Sequence, residues 1–349
     1  MNMQIENLVR KNIRNLEPYS CARNEFQGEA SVFLDANENP LNAPYNRYPD
    51  PLQETLKEKI ACLKQVDKRR IFLGNGSDEP IDLVVRIFCE PGVDNIVSID
   101  PTYGMYKVCA DINNVEYRPV ALNADYSLDA QRLLAATDSC TKLVFLCSPN
   151  NPSGNLLASD EMLKVVEGFN GIVIIDEAYI DFADTTSFLS MLDRYPNMIV
   201  LQTFSKAWGM AAIRMGMAFA SPEIIELFNK VKYPYNINYL AQEFVSNALN
   251  EQSEARKCET VKMLLGQREW LKEELAKLSC VQTIYPSDAN FLLVKVDNSN
   301  ALYTYLITCG VVVRNRHKLS LCGNCLRITV GIPEENHALI KAIEAYAKQ

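Results

Sequence analysis

The stretch TFSKAWGMAAIRMG, residues 203–216, sets Lys206 between hydroxyl residues and a run of small ones, with Arg214 eight positions on. A lysine that is desolvated or crowded by other cations loses part of its charge, and its amine then serves as a nucleophile able to form a Schiff base. Thr203, Ser205 and Arg214 beside it are donors suited to an anion. Taken alone, a lysine in such a place is more often simply solvated. The same ambiguity attaches to GNGSDEP, residues 74–80. Its glycines permit a tight turn, and the N–H groups of Gly76, Ser77 and Asp78, opening a helix, suit a phosphate. An ordinary strand-to-helix turn has the same appearance. Asp176 follows the apolar run IVII, a place where a carboxylate is costly unless a cation or donor meets it. A protonated ring nitrogen is one such partner, and an N-cap role is the plain alternative. Asn151 in NNPSG and Tyr179 in DEAY add donors for an oxygen on the same ring. An amine, a carboxylate, a phosphate turn and two ring donors together are the needs of pyridoxal phosphate.

Such groups must be positioned by a frame, and the frame is legible as alternation. Apolar runs NIVSI (95–99), KLVFLC (142–147), GIVII (171–175) and MIVLQTF (198–204) indicate strands buried on both faces. DEPIDLVVRIF and SDEMLKVVEGF between them carry helical spacing. This is an α/β order with a mostly parallel sheet covered by helices, in which ligands gather beyond the carboxyl ends of the strands. After about residue 250 a long charged helix leads into short strands FLLVKV, VVVR and LRITV, which predicts a smaller α+β domain. The expected division is a large domain over 35–250, and a small one over 251–349 that is joined by the N-terminal segment 1–34.

The 349 residues suit two domains at roughly 100 to 200 residues each. The net charge of −8 opposes binding to a phosphate backbone. Runs such as IVII fall far short of the ~20 apolar residues that span a bilayer. Eleven cysteines in this length are not the density of a disulfide scaffold, and charges interrupt the N-terminus before any signal-peptide core. A cytoplasmic protein with reduced thiols, no nucleic-acid partner and no membrane segment is expected. HKLSLCGNC holds His317, Cys322 and Cys325, but a zinc site usually takes four ligands and a second pair is missing, so a loop with buried thiols is expected and no metal.

NNPSG, DEAY and SKAWGMAAIRMG resemble the fold-type I pyridoxal-phosphate-dependent aminotransferases, and DANENP, NRYPDP, GNGSDE, PTYGMY and LRITVG extend the likeness from about Tyr19 to Gly331. The resemblance implies that Lys206 carries pyridoxal 5′-phosphate, that Asp176 pairs with the ring nitrogen, and that Asn151 and Tyr179 bond the ring oxygen. It implies that Tyr103 stacks on the ring and that Gly76, Ser77, Asp78, Thr203, Ser205 and Arg214 hold the phosphate. It further implies a homodimer in which Tyr48 reaches the cofactor of the other subunit. The implied reaction moves an amino group between L-histidinol phosphate and 2-oxoglutarate, with Arg327 on a carboxylate and Arg314, Tyr19 and Asn37 as further substrate contacts. Decarboxylation of a phosphorylated amino acid, aromatic aminotransfer, and a non-catalytic binding role are the competing readings.

Overall fold

Apolar runs of five to seven residues become the strands of a seven-stranded sheet in the computed structural model, which describes residues 5–21 and 30–348. The strands are β1 (Ile71–Asn75), β2 (Asn95–Asp100), β3 (Glu116–Ala121), β4 (Thr141–Cys147), β5 (Ile172–Asp176), β6 (Met198–Thr203) and β7 (Met215–Phe219). Their order across the sheet is β1-β7-β6-β5-β4-β2-β3, and only β7 runs antiparallel to its neighbours. Every residue of β4 but one, and all of β5, β6 and β7, is buried. That is the consequence of helices covering both faces, and it explains why these segments lack a polar stripe.

The helices that cover the sheet are amphipathic. Asp78–Phe88 buries Ile81, Leu83, Val84, Val85, Ile87 and Phe88 while Asp82 and Arg86 stay outside and pair with each other. Caps fix where others start: Ser221, Asn238 and Asn250 each accept a backbone N–H from the first turn of the helix that follows.

A second sheet of four strands has the order β10-β11-β9-β8 and is antiparallel throughout, with β8 Val281–Ile284, β9 Phe291–Val296, β10 Arg314–Asn315 and β11 Cys325–Thr329. Helices Ser299–Thr308 and Pro333–Ala347 pack on it around Leu292, Val294, Leu326 and Ile343. The 25-residue helix Glu251–Leu275 joins the two units. Its Leu271 and Leu275 enter the small core, whereas Val261 joins Tyr179, Ala207 and Phe291 in a cluster along the seam.

The N-terminal segment departs from expectation. It was expected on the small unit, yet Ile5, Val9 and Ile13 lie in the large core, and Arg10 donates to the carbonyl of Arg86 and pairs with Glu90. Two short turns, Ile5–Leu8 and Lys11–Arg14, carry Ile5 and Ile13, with Val9 between them, and the Arg10 N–H between the turns donates to the Ile87 carbonyl at 3.0 Å. The other end of the same grouping is mixed as well, since Leu293, Cys322 and Cys325 belong to the large core.

Candidate active site

With six strands pointing the same way, the segments that follow β1, β2, β4, β5 and β6 emerge on one edge of the large sheet. They surround a cleft lined by Gly76, Ser77, Asp78, Tyr103, Cys147, Asn151, Asp176, Ala178, Tyr179, Thr203, Ser205, Lys206, Ala211 and Arg214. The large-domain residues expected at a cofactor, Tyr48 excepted, are brought together.

Asp176 ends β5 and is fully enclosed. Its Oδ2 accepts the Tyr106 hydroxyl at 2.6 Å and its Oδ1 the Ala178 N–H at 3.0 Å. Burial drives its carboxyl pKa upward, against those two donors and the charge of Lys206. Such a group is held ready for a cationic partner. Tyr106 is itself fully buried, stacked on Phe145 with centroids 4.6 Å apart. Sequence reasoning stopped at Tyr103 in PTYGMY and missed it, because Tyr106 lies inside the helix Met105–Ile112 rather than in the segment between strand and helix.

Lys206 follows β6. Its Nζ stands 5.5 Å from the centre of the Tyr179 ring and makes no hydrogen bond or ion pair among the described residues. The side chain is open to the cleft mouth, yet enough protein crowds the amine to lower its pKa, burial first and the Arg327 guanidinium second, with Arg214 adding to it and Asp176 opposing. Tyr179 is buried, edge-on to Phe291, and its hydroxyl is pushed well above the usual phenol range by burial. Asn151 is buried, with Oδ1 accepting from Arg327 Nη1 at 2.6 Å. Its amide nitrogen is left as a donor.

At the other end of the cleft, Ser77 caps helix Asp78–Phe88 without a side-chain bond, and the N–H groups of Ser77 and Asp78 have no acceptor among the described residues. Gly76 acts differently from expectation: its N–H is spent on the Arg214 carbonyl at 2.7 Å. Its contribution is steric. With φ at +69°, a Cβ there would sit 2.5 Å from Arg214 Nη2. Gly216 at the start of β7 is tighter still, because a Cβ would come within 2.2 Å of the Gly76 carbonyl carbon and the Ser77 nitrogen. Asp78 offers its N–H rather than its carboxylate, which accepts from Tyr103 at 2.9 Å and Arg214 at 3.2 Å. Thr203 and Ser205 bond each other, Oγ1 to Oγ at 2.9 Å. A helix N-terminus, two hydroxyls and an arginine make an anion cradle opposite a buried carboxylate, with an amine between. Pyridoxal phosphate fits that arrangement.

Arg327 reaches this site from β11 in the small sheet, passing over the Phe291 ring. Arg314 lies directly across from it on β10 and is exposed. Three expected residues are elsewhere in the chain. Tyr48 stacks on Tyr235 with centroids 4.5 Å apart, and with Asn37 it lines a separate surface groove; Tyr19 is exposed. Cys322 and Cys325 are buried, and His317 Nδ1 accepts the Asn324 N–H. Among the described residues no group of three or more metal-ligating side chains is arranged around a common point.

The aminotransferase class I and II family matches residues 22–343. A histidinol-phosphate aminotransferase of Bacteroides thetaiotaomicron is 57% identical over 343 residues, covering 98% of this chain and 99% of that protein. The fold is shared with the crystal structure of a histidinol-phosphate aminotransferase from Clostridium acetobutylicum, at a TM-score of 0.80 and 24% identity over 90% of this chain and 98% of that one. It is shared also with the Sinorhizobium meliloti histidinol-phosphate aminotransferase, determined in complex with pyridoxal-5′-phosphate, at a TM-score of 0.79 and 23% identity over 86% and 83% of the two chains. Cleft, fold and sequence agree: the chain belongs to the class I and II aminotransferase family.

Proposed function

We propose that this aminotransferase moves the amino group of L-histidinol phosphate to 2-oxoglutarate, giving imidazole acetol phosphate and L-glutamate, a step of histidine biosynthesis. The observation that carries the reading is the cleft in which a pKa-lowered amine, a buried carboxylate and an anion cradle face arginines from the small sheet. The 57% identity to a histidinol-phosphate aminotransferase supports the choice of substrate.

Bound pyridoxal phosphate supplies a ring that accepts electrons from the substrate's amine-bearing carbon. Lys206 Nζ would carry it and, once the substrate's amine had displaced it as a free amine, would take the proton from that carbon. Asp176 keeps the ring nitrogen protonated. Asn151 Nδ2 and the Tyr179 hydroxyl would donate to the ring oxygen, and Tyr103 would cover a ring face. The Ser77 and Asp78 N–H groups, with Thr203, Ser205 and Arg214, hold the cofactor's phosphate. Arg327 takes the carboxylate of glutamate or 2-oxoglutarate, and Arg314 meets the phosphoryl group of the other substrate, with Tyr19 and Asn37 as further contacts.

The active unit is a cytoplasmic homodimer in this reading. Tyr48 sits half exposed in a groove with Tyr235, Tyr239 and Leu240, next to exposed Phe244. Continuous apolar surface of that kind suits a second copy of the chain. All eleven cysteines are free, and no helix among the described residues is long and apolar enough to cross a membrane. The reading is tested by supplying the purified, cofactor-loaded protein with histidinol phosphate, threonine phosphate or an aromatic amino acid, each with 2-oxoglutarate. Glutamate should form fastest with histidinol phosphate. Release of carbon dioxide from threonine phosphate, or a faster reaction with the aromatic amino acid, would contradict it.

A further inference from the structure

The small sheet presents more positive charge to the cleft than a carboxylate requires. β10 and β11 pair antiparallel with Arg314 opposite Arg327 and Asn315 opposite Leu326, and the ladder runs on through the Arg316 N–H, which donates to the Cys325 carbonyl at 2.9 Å. Side chains alternate across such a pair. Asn315 bonds Ser299 and Asn300, and Leu326 enters the small core, so both face helix Ser299–Thr308. The opposite face therefore takes Arg314, Arg316, Cys325 and Arg327. Cys325 on that face lies in the large core and Arg327 reaches Asn151. Arg316 consequently emerges on the side that covers the cleft.

We propose that Arg316 is a specificity-determining residue that binds the phosphoryl group of the substrate, as the enclosed member of a face of three guanidinium groups. This rests on the substrate reading above. Arg316 is half-buried and its Nε is buried with no hydrogen-bond partner; the Nε of Arg327 is in the same condition. None of the three arginines is ion-paired with a carboxylate among the described residues. Burial, and then the charges of Arg327 and Arg314, push the Arg316 pKa down to about 10. Cations enclosed together without a counter-charge are costly, and a bound anion offsets that cost. One forked arginine already satisfies a carboxylate. A phosphate monoester brings three terminal oxygens and nearly two charges near neutral pH, which matches a second and a third guanidinium. Arg314 is exposed and on its own makes a weak anchor; Arg316 is the better enclosed of the two.

The test uses the cofactor-loaded protein and its Arg316→Gln and Arg316→Lys variants. Binding of histidinol phosphate, of histidinol without the phosphoryl group, and of glutamate is followed by the change in cofactor absorbance. Arg316→Gln should weaken histidinol phosphate on the order of tenfold to a hundredfold, the scale of a charged hydrogen bond, and should weaken histidinol and glutamate far less. Arg316→Lys should recover part of the loss. An unaltered melting temperature together with retained glutamate binding identifies an intact fold. Equal losses for histidinol and histidinol phosphate, or no loss for the latter, would overturn the assignment. Should the wild-type protein ignore histidinol phosphate altogether, the substrate reading fails on its own, and inorganic phosphate as inhibitor of the glutamate half-reaction then reads Arg316. Weaker inhibition in Arg316→Gln upholds the anion site, and unchanged inhibition removes it.

Discussion

At the residue scale the chemistry rests on how far its surroundings lower the basicity of Lys206. Burial contributes most and Arg327 next, so the neutral amine is populated at lower pH than for a free lysine of pKa 10.5. The sign follows directly: a depressed amine pKa lets covalent uptake of pyridoxal phosphate rise with pH through a midpoint below 10.5, and removal of a neighbouring cation moves that midpoint up. Stopped-flow absorbance of cofactor uptake by apoprotein across pH should show this shift in Arg327→Met. A midpoint that stayed in place would mean that Arg327 does not act on the amine. Lys206, Asp176, Asn151 and Tyr179 were legible because each lies at or within four residues of the end of an apolar strand, and in a parallel sheet that position fixes which edge a side chain occupies. Arg316 was not. VVVRNR contains it plainly, but β10 is only two residues long, and the face taken by each side chain depends on pairing with β11.

At the scale of elements, the turn after β1 is shaped by a strand remote in sequence. GNGSDE reads as a phosphate turn, and it opens a helix with the Ser77 and Asp78 N–H groups unbonded among the described residues, yet its closeness to β7 comes from Gly216 and from the bond between the Gly76 N–H and the Arg214 carbonyl. Long-range approach of backbone to backbone leaves no local pattern, so the glycine in RMGMAF carries no signal by itself. Gly216→Ala should force β1 and β7 apart beside the cradle, costing about 1–3 kcal/mol of stability as overpacking does and weakening cofactor binding. Thermal melts with and without pyridoxal phosphate, and a cofactor titration, measure both effects. A variant with unaltered cofactor affinity would show that the cradle does not depend on this packing. The N-terminal Ile5, Val9 and Ile13 illustrate the converse case: nothing local in their segment told which core they would join.

At the scale of the whole molecule, two cores meet along the seam of Val261, Tyr179 and Phe291, and the cleft is finished from both sides. A protein of net charge −8 gathers Arg214, Arg314, Arg316, Arg327 and Lys206 toward one region, a concentration that overall composition conceals. The fold class was legible from alternation of strands and helices; the association of chains was not, because the groove holding Tyr48 gains meaning only from what covers it. If Tyr48 serves a neighbouring subunit, inactive Tyr48→Ala and Lys206→Ala proteins, mixed and allowed to exchange, should form heterodimers with one intact site and regain part of the activity. Exchange verified by mass with no activity regained would restrict Tyr48 to its own chain. Beneath all of this stands the claim that Lys206 bears the cofactor. Borohydride reduction of the loaded protein followed by peptide mapping tests it most directly: the account predicts a single pyridoxyl label, on the peptide containing TFSKAWGM at Lys206, and a label on any other lysine would contradict it.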